Sequence, residues 1–248
     1  MRIFLFALEI HIILSRKEVF HMSDNIIDSS NDSQGSNEPA KKSVLKEIWE
    51  WVYTILIAVI IALLIKGFLF DIVRVDGSSM FPTLKNNDRL IVTKLGYEPE
   101  QGDIIILDSN YKHREEYFAA AALSEGKEEY SSFEKFTKSF SMPKAFKSRY
   151  YVKRVIALPG QTVDLQDGRV YIDGQRLEES YYTGTTSPID PTMHFPLTVE
   201  DDMVFVMGDN RPNSKDSRDS SLGQVPYEAI LGKSQVRIWP LNTISVTR

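Results

Sequence analysis

The 248-residue sequence contains no cysteine, which excludes thiol nucleophiles, disulfide bonds and thiolate metal sites. Histidine is almost as scarce. The four histidines show neither metal-ligand spacing nor a pattern of acidic partners, so neither a metal centre nor a His-based triad is supported; they are His11, His21, His113 and His194. We therefore expect no metal and no cofactor.

The chain also lacks an excess of positive charge. Its net charge is -5, and it has no basic run or basic-aromatic stripe that would bind a phosphate backbone. Nucleic acid is therefore not an expected partner. With 42% hydrophobic residues, the chain is able to bury a core as one large domain or two small ones.

The most prominent apolar run extends from Trp51 to Phe70 and is long enough to span about 30 Å as a helix. Lys66 is its only charge and lies near one end, while Trp49 and Tyr53 flank the other end as aromatic residues do at a membrane interface. A buried core helix is the alternative, but Ile55–Ile65 shows no polar face. We predict one transmembrane anchor over residues 49–70 and hence a lipid bilayer as partner.

Residues 1–48 precede this anchor and are predicted to lack a folded core. Ser23–Lys42 is rich in Ser, Asn, Asp and Gly and is expected to form a disordered tether. The apolar residues 1–15 are too short to span a membrane, and two explanations stay open. They form a weak interfacial helix, or they follow an upstream start codon while Met22 opens the native chain.

Short β-branched runs separated by turns dominate residues 71–248 and predict a mainly β, antiparallel domain. The predicted strands lie within DRLIVTKL, GDIIIL, RYYVKRVIAL, GRVYIDGQRL, DDMVFVMGD and KSQVRIWPL. Residues 108–149 are different, because their Ala, Glu and Lys content favours helix. We predict a partly helical insertion there.

Three segments carry residues suited to catalysis. The first, Val75–Leu84, is a Gly-Ser-Ser turn in which a serine lies close to backbone amides, as an oxyanion hole requires. The second puts Lys153 in an apolar strand, where burial would lower the pKa of its amine, although a lysine that protects a sheet edge is the commoner case.

The third segment, Met207–Ser220, contains more Asp, Asn, Ser and Arg than a turn needs. It is a solvated polar loop, a divalent-cation site or a network of paired charges. The arginines argue against the cation, since they are close enough in sequence to neutralise the carboxylates.

Taken together, the Ser-Met turn after an anchor, the Lys-Arg strand and the sequence GDNRPNSKDSR resemble type I signal peptidases. The resemblance extends over GDIIIL at residues 102–107, LPG at 158–160 and GQVP at 223–226, up to IWP near the C-terminus. It implies a membrane-bound serine endopeptidase of signal-peptidase-like fold, which removes signal peptides from exported preproteins after Ala-X-Ala sequences. It also places the catalytic domain outside the cytoplasmic membrane and the N-terminus in the cytoplasm.

Site residues follow from the same resemblance. It makes Ser79 the nucleophile and Lys153 the general base, and Ser214 the hydroxyl that orients the lysine. It pairs Asp209 with Arg154 and Asp216 with Arg218 as catalytic support. The positions matching those that bind small substrate side chains are Val75, Met80, Leu84, Tyr151 and Val152.

The chain departs from the family pattern in two places. Gly77 stands where some members carry a serine that donates to the oxyanion, so backbone amides, that of Ser79 among them, are expected to serve instead. Residues 108–149 are longer than the usual connection and have no assigned role. Two other functions stay open: a self-cleaving Ser/Lys repressor-type protease, disfavoured by the anchor, and a non-catalytic anchored binding module.

Overall fold

A computed structural model describes residues 44–64, 67 and 69–247, and the chain divides into two units between Val52 and Tyr53. The predictions made for residues 1–43 lie outside the described residues. Helix α1 comprises Val44–Leu64. Within the described residues, no helix combines the length and the apolarity needed to cross a membrane.

The boundaries of α1 differ from the predicted anchor. The α-helix is described up to Leu64, residues 67 and 69 have π-helical conformation, and Phe70, the predicted end of the anchor, is the first residue of strand β1. Phe70 pairs with Thr93 of a neighbouring strand, so its backbone is part of a β-sheet. Residues 65, 66 and 68 of the predicted span lie outside the described residues.

Strands make up most of the remaining chain. They are β1 Phe70–Arg74, β2 Arg89–Thr93, β3 Ile104–Asp108, β4 Tyr150–Ala157, β5 Thr162–Gln166, β6 Arg169–Ile172, β7 Gln175–Arg176, β8 Leu197–Thr198, β9 Met203–Met207, β10 Val225–Pro226, β11 Ile230–Trp239 and β12 Ser245–Val246. Helices α2 and α3 comprise Tyr111–Ser124 and Ser132–Ser141. Short 3₁₀ helices comprise Lys144–Phe146, Arg211–Asn213, Tyr227–Ala229 and Leu241–Thr243.

The strands form two sheets. The larger has eight strands in the order β1-β2-β11-β3-β4-β9-β10, with β12 paired to β11, and the smaller has the order β7-β6-β5-β8. Every pairing is antiparallel. The prediction of a mainly β, antiparallel domain is confirmed, and each of the six predicted runs contains a strand.

Strand β3 lies at the centre of the large sheet, and all five of its residues are buried. Its alternate side chains enter different apolar clusters: Ile104 and Ile106 pack in one, Ile105 and Leu107 in the other. This arrangement explains why the run III at 104–106 shows no polar alternation, because a strand covered on both faces needs none. Strand β4, which carries Lys153, pairs with this fully buried strand.

Strand β11 is irregular at Gly232 and passes very close to the backbone of β2 there. The pairing of β11 with β3 shifts register between Ile230 and Gly232. A Cβ atom at Gly232 would overlap the backbone carbonyl oxygen of Thr93 on β2. Glycine is therefore required here by the close approach of the two backbones.

Helices α2 and α3 form the predicted insertion between β3 and β4. It has a small core of its own, made by Phe118, Ala122, Tyr130 and Met142. Asp108, at the end of β3, joins the two ends of the insertion: it pairs with Arg114 and accepts a hydrogen bond from the Arg149 amide at 2.9 Å. The insertion is thus a folded extension of the sheet.

Changing Gly232 to alanine should destabilise the sheet, because the new methyl group meets a backbone atom that cannot rotate away. We expect a loss of about 2–4 kcal/mol in the free energy of unfolding, measured by chemical denaturation. Gly174→Ala is the matched control: Gly174 has φ +78° but open space around it, so only backbone strain of about 1 kcal/mol is expected. Equal losses in the two variants would contradict this role of Gly232.

Candidate active site

The Ser79 turn is fixed on both sides. Its neighbours Val75 and Met80 are buried, while Ser79 itself is half-buried. Gly77 has φ +100°, and its amide donates to Asn86 Oδ1 at 3.0 Å, which sets the direction of the turn. The Ser79 hydroxyl is consequently presented from a turn with little freedom to move.

Strand β4 places the Lys153 amine against this hydroxyl. Lys153 is only 3% exposed, and its Nζ donates to Ser79 Oγ at 2.9 Å and to the Val152 carbonyl at 3.1 Å. Burial lowers the pKa of Lys153 from 10.5 to about 8, against the opposing pull of Asp216 and Asp209. A fraction of the amine is therefore neutral near physiological pH, where an ordinary lysine is almost entirely charged.

Arg154, the next residue on β4, forms a buried ion pair with Asp209. Arg154 Nε and Nη2 donate to the two carboxylate oxygens at 2.8 and 2.7 Å, and Nη1 donates to the Gly102 carbonyl at 2.8 Å. Thr83 Oγ1 donates to the same carboxylate. Asp209 therefore ties the lysine strand to the segment that follows Ser79.

A second buried pair stiffens the loop after β9. Arg218 donates to both oxygens of Asp216 at 2.8 Å, and Asp216 also accepts the Gly208 amide at 3.0 Å. Arg218 Nη2 donates further to the Arg211 carbonyl at 2.8 Å. Asp216 and Arg218 are both buried, so this loop is an internal part of the structure and not a solvated polar loop.

The same loop contacts the Ser79 turn through residues to which the sequence alone assigned no such role. The Asn210 amide donates to the Ser79 carbonyl at 2.9 Å, and Asn210 Nδ2 donates to the Ser78 carbonyl at 3.0 Å. A Cβ atom at Gly208 would overlap the Ser79 carbonyl oxygen. In sequence both residues read only as turn formers, and no local signal reveals their contacts across the fold.

Ser214 makes no hydrogen bond to Lys153, although the family resemblance predicts one. Its Oγ is buried, and within the described residues it has no hydrogen-bond partner. The hydroxyl lies instead against Gly208, where a Cβ atom would overlap it. Lys153 uses Ser79 and a backbone carbonyl as its acceptors.

A segment leading out of the small sheet covers the Arg154–Asp209 pair. The Tyr181 ring lies 3.9 Å from the Arg154 guanidinium carbon, and Glu179 pairs with Arg211. Arg211 Nη1 also donates to Thr186 Oγ1 at 2.7 Å. Burial raises the pKa of Tyr181, so its ring stays neutral over the arginine. The sequence did not predict that this segment covers the ion pair, because the contacts join residues that are far apart in the chain.

Most of the positions predicted to bind substrate lie together. Val75, Met80, Leu84 and Val152 belong to one apolar cluster. Tyr151 packs in a different cluster, with its ring centroid 5.0 Å from Lys153 Nζ. Gly77 is exposed in its turn. Apolar side chains thus flank Ser79 in sequence and in space.

The described residues contain no group of three His, Asp or Glu side chains suited to hold a metal ion. The carboxylates that suggested a cation site, Asp209 and Asp216, both pair with arginines. Their charge is satisfied within the protein.

The chain is similar to known proteins over most of its length. Residues 48–239 match the family described as "Signal peptidase, peptidase S26". Signal peptidase I S of Bacillus subtilis is 34% identical over 86% of this chain and 99% of its own, and signal peptidase I of Bacillus licheniformis is 35% identical over 81% and 93%. A crystal structure of a signal peptidase I from Enterococcus faecalis aligns with 55% of this chain and 97% of its own, at 27% identity and a TM-score of 0.35, too loose a match to support an argument about geometry.

The family match covers well over half of the chain, and the relatives are matched over nearly their full length. The sequence resemblance is therefore confirmed, and the chain belongs to the signal peptidase I family of serine endopeptidases.

Proposed function

We propose that this protein removes signal peptides from exported preproteins, with Ser79 as nucleophile and Lys153 as general base. The observation that carries the proposal is the 2.9 Å hydrogen bond between Lys153 Nζ and Ser79 Oγ, made by a buried amine whose pKa is lowered to about 8. The names of the relatives, signal peptidase I, supply the substrate class.

The reaction follows from this pair. Neutral Lys153 accepts the Ser79 proton while Oγ attacks the scissile carbonyl carbon, and the tetrahedral intermediate collapses to an ester as the lysine ammonium donates its proton to the leaving amine. Water then attacks the ester with Lys153 again as base. The carboxylic acid leaves and Ser79 recovers its proton.

Backbone amides are proposed to stabilise the oxyanion. Within the described residues the Ser79 amide donates no hydrogen bond, so its N–H is available for an oxygen that develops negative charge. Gly77 has no side chain that would donate in its place. A fixed donor of this kind typically contributes about 3 kcal/mol to transition-state stabilisation.

The two buried ion pairs are proposed to hold this geometry. Asp209 binds Arg154 of the lysine strand and Thr83 of the serine segment, so it limits the distance between the reacting groups. Asp216 and Arg218 brace the loop whose Asn210 holds the Ser79 carbonyl. Ser214 is proposed to orient the lysine. Its buried hydroxyl has no hydrogen-bond partner among the described residues, and a rotation of the Ser214 side chain would direct it to the amine.

Small substrate side chains are proposed to bind beside the apolar cluster that contains Val75, Met80, Leu84 and Val152. These side chains are buried, so we expect only small side chains such as alanine to fit beside them, because larger ones would have to displace buried residues. Tyr151 lies next to the Lys153 amine and is proposed to limit the space on that side. These contacts support cleavage after Ala-X-Ala sequences.

The location proposed for the enzyme is the cell membrane, with the catalytic domain outside the cytoplasm. The apolar run Ile55–Ile65 and the flanking Trp49 and Tyr53 support an anchor in this part of the chain. Tethering restricts the enzyme to the surface where the preproteins are held, which raises their effective concentration.

Replacing Ser79 with alanine should reduce cleavage of an Ala-X-Ala reporter peptide about a thousandfold or more, because no nucleophile remains. Ser78→Ala, one residue away, serves as control and should retain activity. Near wild-type cleavage by the Ser79 variant would refute the assignment.

In the unchanged enzyme, kcat/KM should rise about tenfold per pH unit up to a pH of about 8 and then level off, because only the neutral lysine is a base.

Replacing Lys153 with methionine should abolish cleavage without lowering stability. At pH 7 the wild-type protein holds a buried ammonium group, whose depressed pKa corresponds to a cost of about 3 kcal/mol. The variant is therefore expected to unfold at higher denaturant concentration at pH 7, despite the loss of two hydrogen bonds. Between pH 8 and pH 10.5 the wild type loses this penalty, and the difference should shrink. A variant that is less stable than the wild type at all pH values would argue against a lysine whose charged form is destabilised by burial.

Membrane location is tested on the full chain. The protein should stay in the membrane pellet after alkaline carbonate extraction, whereas Ile57→Lys combined with Ile60→Lys should release it, because two charges within the run oppose insertion. Because the chain has no cysteine, Gln175→Cys provides a single label, and an impermeant maleimide added to intact cells should react with it. Extraction of the wild-type chain, or a label that reacts only after lysis, would contradict the proposed location.

A further inference from the structure

Helix α3 turns its polar side inward and its aromatic side outward. Glu134, Lys135 and Lys138 are half-buried against the rest of the insertion. Phe133, Phe136 and Phe140 are 74%, 60% and 71% exposed. A helix on a water-soluble surface has the opposite arrangement, so the exposed side of α3 calls for an apolar partner.

Ion pairs hold the helix in this orientation. Lys135 pairs with Glu115 of α2 at 2.6 Å. Lys138 pairs at 2.5 Å with Glu125, the residue that follows α2, and Glu134 pairs with Lys127. Ser131 and Glu134 complete a capping box at the N-terminus. Pairing with Lys127 lowers the pKa of Glu134 to about 2, so this contact persists at any physiological pH. The outward position of the phenylalanines is therefore built into the fold.

We call Phe133, Phe136 and Phe140 the aromatic ridge. Their spacing of three and four residues puts them on one face of the helix, and the rings of Phe136 and Phe140 meet edge to face with centroids 5.1 Å apart. The core of the insertion is filled by other side chains, Phe118 and Tyr130 among them. The ridge is thus not needed to stabilise the insertion.

The chain is basic on the C-terminal side of the ridge, whereas two exposed acidic residues, Glu128 and Glu129, precede it. Residues 135–149 contain five basic residues and no Asp or Glu, although the whole chain carries a net charge of -5. Lys144, Lys147 and Arg149 of this segment are exposed, and none of them pairs with an acidic side chain among the described residues. An exposed apolar ridge that is followed along the chain by unpaired basic side chains suits an anionic lipid surface.

We propose that the aromatic ridge inserts into the interfacial region of an anionic lipid bilayer, with Lys144, Lys147 and Arg149 at its headgroups. This inference uses the membrane location put forward under the proposed function. Three side chains on a ten-residue helix are few for a stable protein interface, which takes about 20 residues on each side, whereas aromatic rings partition individually into a lipid interface. The insertion would then fix the catalytic domain against the membrane at a second point.

Single-cysteine labelling of the full chain tests this contact, since no native cysteine competes. Phe136→Cys carries an environment-sensitive fluorophore, and the protein is reconstituted in phosphatidylcholine vesicles with phosphatidylglycerol and with lipids bearing a nitroxide on the acyl chain. We expect a blue-shifted emission that the nitroxide lipids quench several-fold more than that of the control. The control is Gln175→Cys, an exposed position in the small sheet.

The protein labelled at position 136 also tests the role of the basic residues. Adding Lys144→Glu and Lys147→Glu should reduce the quenching in vesicles that contain phosphatidylglycerol, because the headgroups then repel the segment. In pure phosphatidylcholine vesicles the same two changes should make little difference. Equal quenching of all variants in both lipids would overturn the role of charge and with it the proposal.

Two results would overturn the insertion of the ridge. One is a label at position 136 that the nitroxide lipids quench no more than the label at 175. The other is a label shielded from water but not quenched by lipid, and dependent on the protein-to-lipid ratio, which would identify a second copy of the chain as the partner. Reporter cleavage in the same vesicles separates the proposals: cleavage without quenching rejects only the inserted ridge, whereas quenching without cleavage counts only against the proposed function.

Discussion

The arrangement around Lys153 depends on a buried amine that has no ion-pair partner among the described residues. The carboxylates that influence its pKa, Asp209 and Asp216, are each bound by an arginine, Arg154 and Arg218. A carboxylate free to pair with the lysine would stabilise the ammonium form and raise its pKa. Burial lowers the pKa of the amine, and because both carboxylates are bound by arginines, neither forms an ion pair with the lysine that would cancel this effect. The same arginines explain why a loop rich in charge is buried.

The same network positions the serine. Asp209 binds Thr83 and Arg154, and Asn210 and Gly208 contact the backbone of the Ser79 turn, so the loop after β9 contacts both the serine segment and the lysine strand. Buried charges are costly unless every hydrogen bond is made, and here most of them are. The buried hydroxyl of Ser214 is an exception. Such an unsatisfied group is uncommon in a buried polar network, and this one lies against Gly208, next to the Ser79 turn.

The insertion shows how charge pairs set the orientation of a helix. In α3 the lysines and the glutamate bind the protein and the phenylalanines face outward, which reverses the usual burial. Pattern alone places the phenylalanines on one face but does not say which way that face points. The partners on and after α2 decide it, since Glu115 and Glu125 hold the polar side inward.

The amino-acid sequence by itself determined the mainly β domain, the six principal strands and the family, because alternation, turn residues and the motifs around Ser79, Lys153 and Asp209 are local signals. Only the tertiary structure decided which of these residues touch. Local pattern does not report contacts between residues far apart in the chain, such as Asn210 with Ser79 or Tyr181 with Arg154. For the same reason the end of α1 differed from prediction: an apolar run at Phe70 suits a helix and a strand equally, and pairing with β2 selects the strand.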